Sequence, residues 1–202
     1  MMTFTRKIFA MMLMLVVSTT AFAEVKTWSH VWDTSKANGG EGFYHISNNA
    51  DTVQTTMLKK LEWTYRGNTS VTAYMASTGQ YFGSAKSPVT HATLSTSKLL
   101  GKILSVKIEA KVKDAAQDVK IGVSVNGVKY GDACAPTTTR AQYAFTPAGD
   151  AQEGEICITM DQTSETKGII YFFSMTIEYD GIGIVKPEPK DPELAYSKQE
   201  VT

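Results

Sequence analysis

Scarcity is the first thing to read in this chain: 202 residues hold only two cysteines, three histidines, three tryptophans and six prolines. His30, His45 and His91 are scattered, and none has a carboxylate at helical spacing, so a zinc site of the His-Glu-x-x-His kind is not expected. Cys134 and Cys157 have no adjacent histidine and no surrounding pattern of a thiol nucleophile. Ser95-Thr96-Ser97-Lys98 and Ser164-Glu165-Thr166-Lys167 fit the Ser-x-x-Lys of penicillin-binding enzymes, but the Ser-Asp-Asn and Lys-Thr-Gly partners are missing. Asn38-Gly39-Gly40-Glu41-Gly42 neither follows a clear strand nor opens a helix, which excludes a phosphate-cradling loop.

Net charge is lacking too, with 20 basic residues against 20 acidic ones. The cations alternate with apolar residues instead of clustering, so no nucleic-acid partner is expected, and Lys59-Lys60 reads as a solvated face. Long apolar runs are confined to the first residues. Arg6 and Lys7 precede an uncharged stretch from Ile8 to Val17, and Ala21-Phe22-Ala23 is a small-x-small cleavage site, so residues 1–23 read as a signal peptide. The stretch is about 10 residues where a spanning helix wants roughly 20, so no membrane span is expected after cleavage. No cysteine near the cleavage point offers a lipid acceptor. The expected location is outside the inner membrane: periplasmic, cell-surface or extracellular. Loss of Arg6 and Lys7 leaves 18 basic and 20 acidic residues, a net charge of −2.

What is present is a period of two. Leu104, Val106, Ile108, Ala110 and Val112 alternate with Ser105, Lys107, Glu109 and Lys111, an apolar face against a wet one. Val119, Ile121, Val123 and Val125 do the same, and Asn126-Gly127 then predicts a type I′ hairpin with a return strand from Val128 to Tyr130. Tyr143 with Phe145, Ile156 with Ile158 and Met160, and Phe173 with Met175, Ile177 and Tyr179 complete the later set. Earlier strands are expected near Thr27–Asp33, Lys59–Tyr65, Ser70–Met75 and Thr90–Thr96, with residues 38–50 as loop. Many short strands and at most a turn or two of helix imply an all-β, antiparallel sandwich over residues 24–182, jelly-roll-like first and Ig-like second. Pro187, Pro189 and Pro192 mark residues 183–192 as an extended linker, and residues 193–202 read as the truncated start of a following β domain.

An oxidising compartment favours a Cys134–Cys157 disulfide, which in the loop-entropy model would contribute roughly 3 kcal/mol for about 24 residues. The competing outcome is two free thiols, since Cys157 points away from Ile156 and Ile158, and Cys134 must come within about 7 Å of it. Asp150, Glu153 and Glu155 are hard-oxygen candidates for a structural calcium ion, with solvated turn residues as the simpler reading; no other cofactor is expected. Paired carboxylates for glycosidase chemistry would have to come from Asp33, Glu41, Asp51, Asp150, Glu153 and Glu155, most of them in expected loops.

The strongest recognition signal is aromatic. Sugars are held by aromatic faces and a few polar groups, because a pyranose has an apolar side while its hydroxyls need partners. Trp28, His30 and Trp32 would share one face of a strand; Tyr74 should point outward opposite Val71, Ala73 and Met75; Tyr81 sits beside a Phe82 expected to be buried. Trp28, Trp32, Tyr74 and Tyr81 are therefore the candidate ligand contacts, with core packing as the favoured reading for the two tryptophans. Trp63 and Tyr65 fall with Leu61 on the core side.

Two blocks resemble a known family. Gly79-Gln80-Tyr81-Phe82-Gly83-Ser84-Ala85-Lys86-Ser87-Pro88-Val89-Thr90, continuing to Leu94-Ser95-Thr96 and Gly101-Lys102-Ile103, is similar to the middle of a β-sandwich module of secreted multidomain proteins of Gram-negative gut bacteria. Gly154-Glu155-Ile156 and Tyr171-Phe172-Phe173-Ser174-Met175-Thr176-Ile177-Glu178-Tyr179 resemble its closing strands, and residues 193–202 resemble the opening of a bacterial Ig-like domain. The resemblance implies an accessory module with no catalytic residue and no defined ligand, and the two cysteines lie outside its pattern. The expected function is a secreted, non-catalytic module binding a glycan or a cell-surface component. A structural spacer or adhesion module is the alternative, and a glycoside hydrolase comes third.

Overall fold

In the computed structural model, residues 24–32, 52–70, 72–75, 79–96, 100–163 and 168–181 are described. The expected signal peptide, linker, following domain and 38–50 loop lie outside them. The twelve strands are β1 (Val25–Val31), β2 (Val53–Leu58), β3 (Leu61–Gly67), β4 (Thr72–Met75), β5 (Gly79–Phe82), β6 (His91–Thr96), β7 (Lys102–Val112), β8 (Lys120–Val125), β9 (Val128–Lys129), β10 (Ala141–Phe145), β11 (Ile156–Asp161) and β12 (Ile170–Asp180). Among the described residues there is no helix.

The strands form two six-stranded antiparallel sheets. One runs β10-β7-β12-β5-β4, with β1 also paired to β12; the other runs β2-β3-β6-β11-β8-β9. The chain passes repeatedly between them, from β5 to β6, β6 to β7, β7 to β8 and β11 to β12, which gives the jelly-roll-like sandwich expected from the alternation. The longer strands bury one face, because a half-buried strand gains hydrophobic stabilisation only from its inward set. The core joins Ile103, Val106, Ile108, Met175 and Ile177 of the first sheet to Leu94, Ile121, Ile156, Ile158 and Met160 of the second.

Aromatic rings link the two sheets. Trp28 lies 5.7 Å from Trp63 across the sandwich, and Tyr65 stacks on Phe82 at 5.5 Å. Trp32, Phe172 and Phe82 continue the seam at 6.2 and 5.3 Å between centroids. Trp63, Tyr65 and Phe82 are fully buried, as the alternation required. Burial raises the Tyr65 phenol to about 12, while its hydroxyl donates to the Thr69 carbonyl.

Three departures from the sequence reading have local causes. Lys59 and Lys60, expected on a strand face, are the two turn residues between β2 and β3, with φ of 47° and 67°. Asn126 and Gly127, at 49° and 77°, make the other positive-φ turn, as expected. The second departure is a bulge in β12: Phe172 stands opposite Ala110 and Ser174 opposite Glu109, so Phe173 has no counterpart. Side-chain parity flips there: Phe172 joins the inter-sheet core, while Phe173, also buried, packs beneath Arg140 instead. A second shift sets Ser105 opposite Glu178 and Ile103 opposite Tyr179, which buries Ile103 in place of Leu104.

The third concerns the cysteines, which are free. Cys134 pairs with Ile121 on one side of β8, and β11 lies on the other side with Met160 opposite Ile121. Two strand spacings of about 4.8 Å, plus three residues along β11, separate Cys134 from Cys157, beyond the roughly 7 Å a disulfide tolerates between Cα atoms. Cys134 packs against the core, whereas Cys157 lies in an outer row with Ser95 and Ser124.

Candidate functional site

Trp28 and Trp32 are 6% and 0% exposed, so neither presents a ring to a ligand. They occupy the inner positions of β1 and its end, with His30 between them: the His30 ring is 4.7 Å from Trp32 and 6.3 Å from Trp28. The sandwich core consumes the pair because period-two spacing puts all three rings on the buried face. Tyr74 stands in register with Gln80, and Ala73 in register with Tyr81, so the position opposite Tyr81 belongs to Ala73 rather than Tyr74. Asp150, Glu153 and Glu155 are exposed, and no group of three His, Cys, Asp or Glu side chains able to hold a metal ion occurs among the described residues.

Tyr81 is the candidate that the fold supplies with neighbours. Half-buried on the outer face of β5, it is paired to Tyr171 of β12, and their rings meet edge-to-face at 6.4 Å. Tyr171 is in turn opposite Lys111 of β7, whose ammonium lies 5.4 Å from the Tyr171 ring centroid. Burial chiefly, with the neighbouring Tyr81 adding to it, raises the Tyr171 phenol above its ordinary value, so the Tyr171 hydroxyl stays protonated at neutral pH.

The β12 bulge builds the other half of this face. The backbone N–H of Trp32 donates to the Phe173 carbonyl at 2.8 Å, holding the extra residue in place. The Phe173 ring lies beneath the Arg140 guanidinium at 4.3 Å and near Lys111 at 5.8 Å. Arg140 forks onto Glu109 through Nε at 2.6 Å and Nη2 at 2.7 Å, and the Ser174 hydroxyl donates to the same carboxylate at 3.1 Å. Arg140 is the main cause holding the Glu109 carboxyl below its ordinary range, with Ser174 assisting against a partial desolvation. Farther along, Lys107 and Ser105 donate to Glu178 at 2.6 and 2.7 Å.

The result is an open platform of two tyrosine rings beside a preorganised fork and a lysine. Alternation in the strands correctly put Lys107, Glu109 and Lys111 on the wet face. Tyr171, Phe173 and Arg140 were not singled out, because the bulge that groups them is invisible to a strict period of two. Three successive aromatics, Tyr171, Phe172 and Phe173, inside an otherwise alternating strand are the available signal.

The second sheet's outer face is different in kind. A depression of about 370 Å³ beside the β8–β9 hairpin is lined in part by Ser124, Lys129, Asp132, Thr159 and Asp161. Nearby, His91 Nδ1 and Asp161 Oδ1 are 2.5 Å apart.

No protein-family model matches this chain, and no curated protein sequence does so either. Among solved structures it is similar to a family two carbohydrate esterase from Cellvibrio japonicus, at 11% identity and a TM-score of 0.43 over 80% of this chain. The chain spans about a third of that esterase, 36% of its length. It is also similar to CBM29_1, a family 29 carbohydrate binding module from Piromyces equi, at 12% identity and a TM-score of 0.39, covering 77% of this chain and 91% of that one. A mutant of CBM29-2 complexed with cellulohexaose matches at 10% identity and a TM-score of 0.35, covering 76% and 92%.

Proposed function

We propose that the chain is an exported, non-catalytic glycan-binding module whose platform is the outer face built from β5, β12, β7 and the Arg140 segment. The observation that carries this reading is the Tyr81–Tyr171 ring pair held in register beside Lys111 and the Arg140–Glu109 fork. Aromatic surfaces take the apolar side of a pyranose, and fixed donors and acceptors at their edge take its hydroxyls. Export rests on the leader features of residues 1–23. A hydrolase would need two facing carboxyls, whereas on this face Glu109 and Glu178 are both engaged by cations. The spacer reading draws on Pro187, Pro189 and Pro192 instead, and it competes with specific binding.

The test is affinity electrophoresis of the purified protein against a panel of soluble polysaccharides. Tyr171→Ala and Tyr81→Ala should each weaken binding about tenfold, equivalent to about 1.4 kcal/mol, while leaving the melting temperature nearly unchanged. Retention unaltered in the double variant would remove this face from consideration.

A further inference from the structure

The charges on the platform do not cancel evenly. Lys107 is matched by Glu178 at 2.6 Å, and Arg140 by Glu109 at 2.6 Å. Lys111 has no carboxylate within ion-pair distance among the described residues; its ammonium faces the rings of Tyr171 and Phe173 instead. Lys113, exposed just beyond β7, likewise lacks a carboxylate partner among them, and the Asp114 carboxylate accepts from Ala116 N–H in the following turn. Among the described residues, the tyrosine end of the face therefore carries positive charge that no ion pair matches, whereas Lys107 at the other end is paired with Glu178.

A lysine held over aromatic rings keeps its stem on apolar surface and its charge at the edge, where a ligand lying on those rings would meet it. An uncharged sugar would engage that ammonium only as a hydrogen-bond donor and leave its charge unmatched. Resting on the glycan reading above, we infer that the Tyr81–Tyr171 platform selects an acidic polysaccharide, one bearing uronate carboxylates or sulfate esters, with Lys111 as the residue that meets the anion. Arg140 is held by Glu109 and shapes the floor over Phe173. Lys111 confers the preference, and the two tyrosines provide the binding surface common to charged and uncharged sugars.

The experiment uses two matched pairs: polygalacturonate against its methyl ester, and dextran sulfate against dextran, each titrated with the whole chain at low and moderate salt. At least one acidic member should bind about tenfold more tightly than its uncharged partner, the advantage shrinking as salt screens it. Which pair shows it separates carboxylate from sulfate. Lys111→Met should abolish the advantage, bringing the acidic member down to the affinity of its uncharged partner, and should leave the melting temperature as it was. Lys111→Arg should restore it, and Tyr171→Ala should weaken both members together. Equal affinity for charged and uncharged members, or an advantage that survives Lys111→Met, overturns the inference and leaves the glycan reading standing. Acidic binding that persists unchanged in the double tyrosine variant reduces the effect to charge alone and also overturns it. Failure of the chain to bind any polysaccharide, charged or neutral, ends both readings.

Discussion

The indole N–H of Trp28 donates to the carbonyl of Lys59 at 3.1 Å, so the first strand of one sheet is latched to a two-residue hairpin of the other. That hairpin turns on two lysines with positive φ, a conformation in which a Cβ is crowded by its own backbone and which glycine or asparagine adopts at less cost. Replacing Lys59-Lys60 with Asn-Gly should therefore stabilise the domain by about 1 kcal/mol. Trp28→Phe removes the latch and part of the Trp63 contact, and should destabilise by about 2 kcal/mol. Chemical denaturation of the three proteins measures both effects, and equal midpoints would refute the assignment of strain to this turn.

Gly79 opens β5 at φ 71°, and a Cβ placed there would stand 2.3 Å from the carbonyl oxygen of Phe172. Backbone, not a yielding side chain, blocks it. Gly79→Ala should cost about 2 kcal/mol or more and push β5 off β12. Because Tyr81 rides on that strand, the variant should also lose polysaccharide retention at temperatures where circular dichroism still reports a folded sandwich.

Two thiols should titrate in the denatured protein under non-reducing conditions, and the mass should be unchanged by reductant. In the native state they should react slowly at neutral pH, since burial raises Cys134 to about 11 and also raises Cys157, with Glu155 adding to the latter. Cys134→Ala and Cys157→Ser should fold without them. A mass gain of two hydrogen atoms on reduction would contradict the separation of the two residues across β8.

Acid should act through Glu109. Its folded pKa lies below 4.5 because of Arg140, so the fork contributes stability that is fully present above the ordinary carboxylate range and is lost as pH falls through the lowered value. The pair is partly exposed, which limits its contribution to under about 1 kcal/mol. Wild type should exceed Glu109→Gln by that margin at pH 7, and the two should converge on acidification. A gap that widens toward low pH would reverse the assignment.

The sandwich was legible because inward and outward residues alternate over whole strands, as from Val106 to Val112, and because Asn126-Gly127 announces its own turn. The binding face was legible only in its flat parts. Tyr81 and the row Lys107, Glu109, Lys111 follow from simple alternation, but Phe173 and Tyr171 acquire their neighbours from a one-residue insertion in the ladder. Trp28 and Trp32 are ambiguous for the opposite reason: alternation puts them on one face without saying which face is buried, and their burial follows the core packing favoured for them. The 47° and 67° φ angles at Lys59 and Lys60 had no compositional signal, since lysine is not a residue that requests such a turn.

One edge of β12 is shared by two strands from distant parts of the chain: β1 covers Ser174 to Asp180, while β5 covers only Ile170 to Phe172. Tyr171 thus stands on a strand pinned along its length by β7, whereas Tyr81 is joined through three registered pairs. The two rings therefore belong to parts of the protein with different freedom to open. A sugar chain lying across both would tie the looser hairpin to the firmer strand, and its arrival would be legible as slowed amide exchange in β5 even where no atom of β5 moves.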